Sequence, residues 1–144
     1  MTLLNITVHG IPAPQGSKRH IGNGVMIEMS KRVKPWREAV KTAAVEAKGH
    51  WEPLTGPVEL HVNFHFPRPR SHYGTGRNAA TLKPAAPMFV AKAPDLSKLI
   101  RSTEDALTEA GIWRDDAQVV LVRAEKYYNG HGFTGANITV REAQ

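Results

Sequence analysis

The 144-residue chain contains no cysteine. This absence excludes a disulfide framework, thiolate metal sites and thiol nucleophiles, and it favours a reducing compartment. No segment approaches the roughly 20 apolar residues of a membrane span, and the N-terminal MTLLNITVHG lacks the basic region of a signal peptide. We therefore expect a soluble protein inside a cell, in which any metal ion binds through oxygen or imidazole.

Negative charge is scarce in this chain, which has 19 Lys and Arg against 13 Asp and Glu, a net charge of +6. Basic residues dominate up to residue 92, whereas the acids concentrate between Asp95 and Asp116. A cluster of acidic residues within an otherwise basic chain is expected where metal cations bind beside a phosphate backbone. The alternative is an acidic, solvated helix face. The 7 histidines form no triad pattern, which argues against a Ser-His-Asp hydrolase.

The length predicts one domain spanning residues 1–144, and no internal repeat or low-complexity tract divides it. The alternation in LNITVHG predicts a strand that ends at Gly10. Two prolines and the Gly22-Asn23-Gly24 segment predict an irregular basic loop that leads to a tight hairpin. Pro35 then fits the first turn of a helix, for which Gly49 provides the stop.

The second half of the chain predicts a strand, a long loop, a helix and two closing strands. PVELHVNFHF alternates apolar and polar residues, so one face of this strand must be buried. Residues 67–94 form a loop rich in Pro, Gly and Arg, and its arginines are candidates for contacts with DNA. From Asp95 to Ala110 the apolar spacing is helical, and Gly111 ends the helix. The elements therefore predict an α+β domain.

Acidic residues lie at the two ends of this helical region. Asp95 follows Pro94 and is placed either to cap the helix with its carboxylate or to bind a cation. Asp115 and Asp116 stand at a strand entrance, where only one of the pair can face Asp95. Two carboxylates from separate elements are the minimum for Mg²⁺, although an Asp-Asp pair is also common in plain turns.

The stretch PDLSKLIRSTEDALTEAGIWRDDAQVV, Pro94 to Val120, resembles the signature of the RusA family of Holliday junction resolvases, common in bacteriophages and prophages. The resemblance implies a small mixed β-sheet packed with two main helices, in a homodimer. It implies a crossover junction endodeoxyribonuclease that binds four-way junctions and cuts two strands symmetrically with Mg²⁺, or with Mn²⁺ in its place. Such an enzyme serves DNA recombination and repair in the cytoplasm of a bacterial host cell.

The resemblance also implies roles for individual residues. Asp95 matches the first metal ligand of the family and Asp116 the essential later aspartate, with Asp115 beside it as a further metal ligand. Arg101 stands where the family usually has a catalytic lysine, so the implied catalytic set is Asp95, Arg101 and Asp116. The implied contacts with branched DNA are basic: Lys18, Arg19, Lys31, Arg32, Arg68, Arg70 and Lys98.

Ser97 departs from the family pattern, because it stands where a second aspartate is usual. One reading retains metal-dependent cleavage, with Glu104 or Asp105 compensating or with the Ser97 hydroxyl holding a metal-bound water. The alternative is a junction-binding protein that has lost cleavage. A third hypothesis, a metal-dependent phosphohydrolase acting on nucleotides, fits the basic excess less well. Two histidines, His61 and His65, share one strand face, where a polar surface or DNA contact is favoured over metal binding.

Overall fold

The computed structural model describes residues 3–16, 23–130 and 132–143, so the predicted DNA contacts Lys18 and Arg19 lie outside the described residues. The main elements run in the order β1 (Leu3–His9), α1 (Asn23–Lys48), β2 (Val58–Phe66), α2 (Leu96–Glu109), β3 (Val119–Tyr128) and β4 (Gly135–Glu142). A short 3₁₀ helix, Asp116–Gln118, leads into β3. The predicted α+β class is confirmed.

In the described residues, the strands form one four-stranded sheet in the order β1-β4-β2-β3. β4 pairs antiparallel with both β1 and β2, whereas β2 and β3 are parallel, so the sheet is mixed as expected. The two closing strands are not neighbours, because β2 lies between them. A parallel β2–β3 pair needs a crossover, and the loop of residues 67–94 together with α2 supplies it.

The core lies between one face of the sheet and the two helices. Along β2 every second side chain is buried, as its alternation predicts. Trp36 of α1 is 1% exposed, and its indole N–H donates to the buried Thr103 hydroxyl of α2 at 3.3 Å. This hydrogen bond satisfies two buried polar groups and fixes the helices against each other. The opposite face of the sheet carries mostly polar side chains, and the partly exposed His61 and His65 lie on it.

The predicted hairpin near Gly24 is wrong, because residues 23–34 belong to α1 and Pro35 lies inside that helix. The segment contains strong helix formers such as Met, Lys and Arg, and these favour helix once the chain has passed Gly24. Pro35 removes one backbone donor there without ending the helix. Gly49 does follow the helix, at a φ of 48° that favours glycine.

In the described parts of the chain, no helix is long and apolar enough to cross a lipid bilayer.

Candidate functional site

The start of α2 is held in place by the loop between β1 and α1, residues 10–16. The buried Ser102 hydroxyl donates to the Ala13 carbonyl at 2.7 Å, and the Gln15 backbone N–H donates to the Lys98 carbonyl at 3.0 Å. A serine on a helix carries no strong sequence signal, so its role in docking this loop was not predicted. The contacts form one wall of a cleft beside the first turn of α2.

This cleft has a volume of about 520 Å³ and lies against the residues that begin α2. Its walls are apolar, with Ile11, Phe66 and Tyr128 among them. Four charged side chains also line this cleft, namely Arg32, Lys92, Asp95 and Lys98, and we therefore call it the basic cleft. Three cations around one carboxylate make a site suited to phosphate oxygens.

Asp95 is the N-cap residue of α2 by its backbone, but its carboxylate makes no capping hydrogen bond within the described residues. The side chain is 63% exposed and lies 3.7 Å from the Lys98 ammonium. The capping role that its position allowed is therefore not taken by the side chain. Its oxygens stay accessible to a cation or to a ligand in the cleft.

A second cleft of about 700 Å³ extends the basic cleft along α1, and Ile11, Arg32 and Pro67 line both. Lys31 also lines this second cleft, and both Lys31 and Arg32 are exposed. The two clefts form one continuous surface, which carries three of the predicted DNA contacts, Lys31, Arg32 and Lys98. Lys92 joins them there; it was missed because the loop around it has no periodic pattern.

The arginines of the long loop divide into two kinds. The Arg68 guanidinium donates to the Asn129 carbonyl at 3.2 Å and to the Pro87 carbonyl at 2.7 Å, and it lies over the Tyr128 ring. Arg68 therefore holds the loop against the end of β3. Arg70 is exposed and stays available for an external anion.

A positive region surrounds His72 in the same loop. Desolvation, and then the nearby charges of Arg68, Lys92 and Lys83, lower the pKa of His72 below its ordinary value. These cations crowd one side of the loop close to the basic cleft, since Lys92 belongs to both. The loop thus extends the positive surface beyond the cleft.

At the other end of α2, Asp116 lies among side chains of the last helical turns. Its carboxylate accepts hydrogen bonds from the Thr108 hydroxyl and, at 3.5 Å, from the Trp113 indole N–H. Glu104 and Asp105 lie close enough to feel its charge. We call Glu104, Asp105 and Asp116 the acidic cluster.

Burial and like charges disfavour ionisation in the acidic cluster. Partial burial first, and then the negative charges of Asp116 and Asp105, raise the pKa of Glu104 to about 7. Partial burial, followed by a hydrogen bond with Asp116, also raises the pKa of Asp105. Positive charge brought to this cluster from outside would relieve the repulsion.

Asp115 has a structural task. Its carboxylate accepts from the Ala117 N–H at 2.9 Å, and the Gln118 side chain accepts from the Asp115 N–H at 2.9 Å, which is a capping box. The Gln118 amide also donates to the Leu54 carbonyl at 2.8 Å. These bonds fix the turn that presents Asp116, and the metal role of Asp115 stays a prediction.

Asp95 and Asp116 lie at opposite ends of α2 within one chain. Asp95 caps the start of the helix, whereas Asp116 contacts Thr108 in its last turns. The 14-residue α2 is about 21 Å long. One chain therefore does not bring these two carboxylates together, although Asp95 was expected to face one aspartate of the Asp115-Asp116 pair. Ser97 and Arg101 are both exposed along the helix between them.

The chain's oxygen donors are of the type that Mg²⁺ prefers. In residues 3–16, 23–130 and 132–143, however, no three His, Asp or Glu side chains form a group that could hold a metal ion. Mg²⁺ commonly binds one or two carboxylates and completes its shell with waters and substrate phosphates. Asp95 in the basic cleft fits such a site, because its carboxylate is exposed beside cations that suit phosphate oxygens.

The raised pKa of Glu104 predicts a pH-dependent stability. Its pKa is about 7 in the fold, against 4.5 ordinarily. Between these values the fold binds more protons than the unfolded chain, so the free energy of unfolding falls as pH rises through this window. Glu104→Gln should flatten that decline and be more stable than wild type at pH 8. Thermal unfolding at both ends of this pH range measures the effect. Glu38→Gln, at an exposed position of α1, is the control. An unchanged pH dependence of stability in Glu104→Gln would contradict the prediction.

Two comparisons with known proteins bear on the whole chain. Residues 9–141 match the sequence model of the family described as endodeoxyribonuclease RusA. The chain is also 28% identical over 131 residues to the uncharacterized protein YqaN of Bacillus subtilis (strain 168), covering 90% of each chain. The family match spans the basic cleft, α2 and the acidic cluster together.

Proposed function

The chain belongs to the RusA endodeoxyribonuclease family, and from this premise we propose that it resolves Holliday (four-way) junctions and other branched DNA. The reaction is paired hydrolysis of phosphodiester bonds, dependent on a divalent metal ion. Two identical chains would act as a homodimer, because two symmetric incisions are most simply made by two sites related by a two-fold axis. The setting would be DNA recombination and repair in the cytoplasm of a bacterial cell, with a phage or prophage origin.

The basic cleft is the structural feature that best supports this proposal. It combines an exposed carboxylate, Asp95, with the cations of Arg32, Lys92 and Lys98 at the start of a 14-residue helix. The first-turn N–H groups of a helix add partial positive charge there. A phosphodiester backbone bound in the cleft would contact several positive groups. A cation bound to that backbone would contact the Asp95 carboxylate.

Mg²⁺ is the proposed ion, with Mn²⁺ as a substitute. When bound, it supplies positive charge that polarises the phosphate and stabilises the leaving oxygen. Asp95 would hold it, and Asp115 and Asp116 stay the other proposed ligands. Arg101, which is exposed one turn beyond Ser97, is placed to stabilise developing negative charge but is a poor proton donor.

The cleft cations should matter for binding more than for catalysis. Arg32→Ala combined with Lys98→Ala should weaken junction binding and lower the slope of log affinity against log salt by about 2, since each lost phosphate contact removes about 0.9. Fluorescence anisotropy across a salt series measures this slope. The control is Lys41→Ala combined with Lys48→Ala, which removes the same charge from α1 outside the clefts. Equal slopes in both double variants would remove the cleft from the DNA interface.

The serine at position 97 bears on whether the chain cleaves junctions or only binds them. Glu104, a possible substitute for the missing carboxylate, lies in the acidic cluster with Asp116, about 10 Å along the helix from position 97. This separation favours, as second candidate, a junction-binding protein in which cleavage is impaired. The basic cleft serves either function, since both require binding to the phosphate backbone.

Ser97→Asp should restore the oxygen ligand that the family usually has. An added carboxylate strengthens a site for a hard cation, so the Mg²⁺ concentration for half-maximal cleavage should fall about tenfold. Magnesium titrations of cleavage, with Ser97→Asn as the uncharged control, measure this. If both variants behave as wild type, position 97 has no part in the metal site. An inactive wild type made active by Ser97→Asp would establish the binding protein.

Incubation with a labelled four-way junction and with linear duplex of the same sequence tests the proposed function. With Mg²⁺, the junction should be cut and the duplex left whole, and EDTA should abolish cutting. Tight junction binding without cutting would favour the impaired binding protein. Cleavage of nucleotides with no junction binding would overturn both candidates.

A further inference from the structure

A row of aromatic rings crosses the sheet on the face opposite the helices. Its members among the described residues are, in order, His9, Phe133, His65, Tyr127 and Phe89. Neighbouring ring centroids in this order lie 5.3, 5.3, 5.6 and 5.1 Å apart. These distances are those of direct contact between rings, so the five rings form one continuous surface. We call this surface the aromatic row.

Strand register places most of the aromatic row at one level of the sheet. His9 of β1 and His65 of β2 both pair with Gly135 of β4, and Tyr127 of β3 pairs with His65. Gly135 has no side chain, and the Phe133 ring contacts the two histidine rings that flank this glycine. The row therefore depends on pairing between distant parts of the chain, and no periodic pattern predicts it.

The aromatic row lies on a face that is otherwise mostly polar. Phe89, which joins the row through a β-bridge with Tyr127, is 53% exposed. The side chains of His65, Tyr127 and Phe133 are partly exposed. One level further along the strands, the same face carries Thr7, Asn137, Asn63 and Glu125. Aromatic rings usually bury a large apolar area, so a line of them on such a face indicates a binding surface for a flat apolar group.

The rings at the β3 end of the row are held in similar planes. The His65 and Tyr127 planes differ by 20°, and the Tyr127 and Phe89 planes differ by 31°. The Tyr127 hydroxyl donates to the Glu125 carboxylate, which fixes the orientation of the middle ring. A planar base can extend this stack at the exposed Phe89. Because the rings are already in place, little conformational entropy is lost when a base binds.

Both ends of the aromatic row adjoin the clefts. His9 lines the second cleft, together with Lys31 and Arg32. At the other end, Phe89 directly precedes Val90, which lines the basic cleft. A DNA strand whose phosphates lie in the clefts can therefore continue onto the row along the protein surface. Positive charge beside an exposed aromatic surface is the combination that binds single-stranded DNA.

We propose that the aromatic row stacks the unpaired bases of a single DNA strand that leaves the clefts. The inference rests on the proposed function and specifies its substrate class, which is branched DNA with an unpaired strand at the branch point. Bases inside a duplex are stacked on their own neighbours, whereas unpaired bases offer their faces to an aromatic ring. Every base has such a face, so the row distinguishes single strands from duplex rather than one sequence from another.

Phe89→Ala removes the exposed ring at the β3 end of the row. Its affinity for single-stranded oligothymidylate should fall about tenfold, while its affinity for linear duplex should stay within about twofold of wild type. Phe89→Tyr keeps an aromatic ring and should bind as wild type does. Phe89→Leu keeps apolar volume without the ring and should bind as weakly as Phe89→Ala. Met88→Ala is the matched control, because Met88 is 62% exposed next to Phe89 but does not belong to the row.

Salt dependence separates stacking from phosphate contacts. Stacking releases no counterions, so Phe89→Ala should weaken single-strand binding by the same factor at every salt concentration. The slope of log affinity against log salt should therefore equal that of wild type. Arg32→Ala combined with Lys98→Ala should instead flatten this slope. Fluorescence anisotropy with labelled oligothymidylate across a salt series measures both effects.

Photocross-linking locates the contact directly. An oligothymidylate in which one thymine is replaced by iodouracil becomes attached on irradiation to an aromatic side chain that touches that base. Mass spectrometry of the digested adduct should identify rings of the aromatic row, with Phe89 among them. Met88→Ala should give the same adducts, and Phe89→Leu should lose the adduct at position 89.

Branched substrates relate the row to the proposed function. Wild type should bind a four-way junction with one single-stranded arm about tenfold more tightly than a fully paired junction, and Phe89→Ala should remove this preference. Equal losses of single-strand and duplex affinity in Phe89→Ala, or adducts confined to residues outside the row, would overturn the inference. Cleavage of paired junctions without any preference for the single-stranded arm would overturn the row and leave the proposed cleavage intact. An inactive wild type would remove the proposed cleavage, while single-strand binding would still report the row.

Discussion

Asp95→Asn is expected to reduce junction cleavage by about 100-fold or more while junction binding is retained or becomes stronger. The substitution removes a negative oxygen that would hold the divalent ion, and it lowers the repulsion between the protein and DNA phosphates. The carboxylate is exposed and makes no capping hydrogen bond in the described structure, so the melting temperature should stay nearly unchanged. Single-turnover cleavage and anisotropy measure the two effects separately.

Glu38→Gln is the matched control for this result, since it neutralises an exposed carboxylate of α1. Asp116→Asn should lose cleavage to the same extent, and it should also lower the pKa of Glu104, because Asp116 contributes to raising that pKa. Cleavage by Asp95→Asn at the wild-type rate would refute the assignment of Asp95 as a metal ligand.

Gly135→Ala should destabilise the fold by about 3 to 5 kcal/mol, a large part of the stability of an ordinary domain. Gly135 lies in β4 between His9 and His65, with a φ of 144°. A Cβ built there would lie 1.8 Å from the Val8 carbonyl oxygen, which belongs to the backbone of β1 and cannot move aside without breaking the pairing. Urea denaturation measures the loss.

Gly130→Ala provides the comparison, since no heavy atom beyond its chain neighbours lies within 4 Å of a Cβ added there. That variant should keep its stability within about 1 kcal/mol of wild type. Equal stability of the two alanine variants would mean that β1 and β4 do not approach as closely at Gly135 as the structure has them.

Much of the fold could be predicted from periodicity. The alternation of residues 58–66 identified β2 and its buried face, and the apolar stripe after Asp95 identified α2 with Gly111 as its end. The start of α1 could not be identified, because Asn-Gly is a signal for both a hairpin and a break before a helix. The order of the strands also escaped prediction, since the parallel β2–β3 pair depends on the long crossover.

The site was predicted in composition but not in arrangement. The resemblance selected Asp95, Arg101 and Asp116. Nothing in the sequence indicated that the Thr108 hydroxyl and the Trp113 indole would hold Asp116 near the end of the helix. Lys92 was also missed, because its position depends on the path of a loop without regular structure.

Paired resolution of branched DNA is tested most directly by mapping the incisions on a four-way junction whose strands are labelled one at a time. With Mg²⁺ and wild-type protein, we expect cuts at symmetric positions in two strands of like polarity, with none in the presence of EDTA. Cuts confined to one strand, or equal cutting of the linear duplex, would contradict paired resolution of branched DNA by this chain.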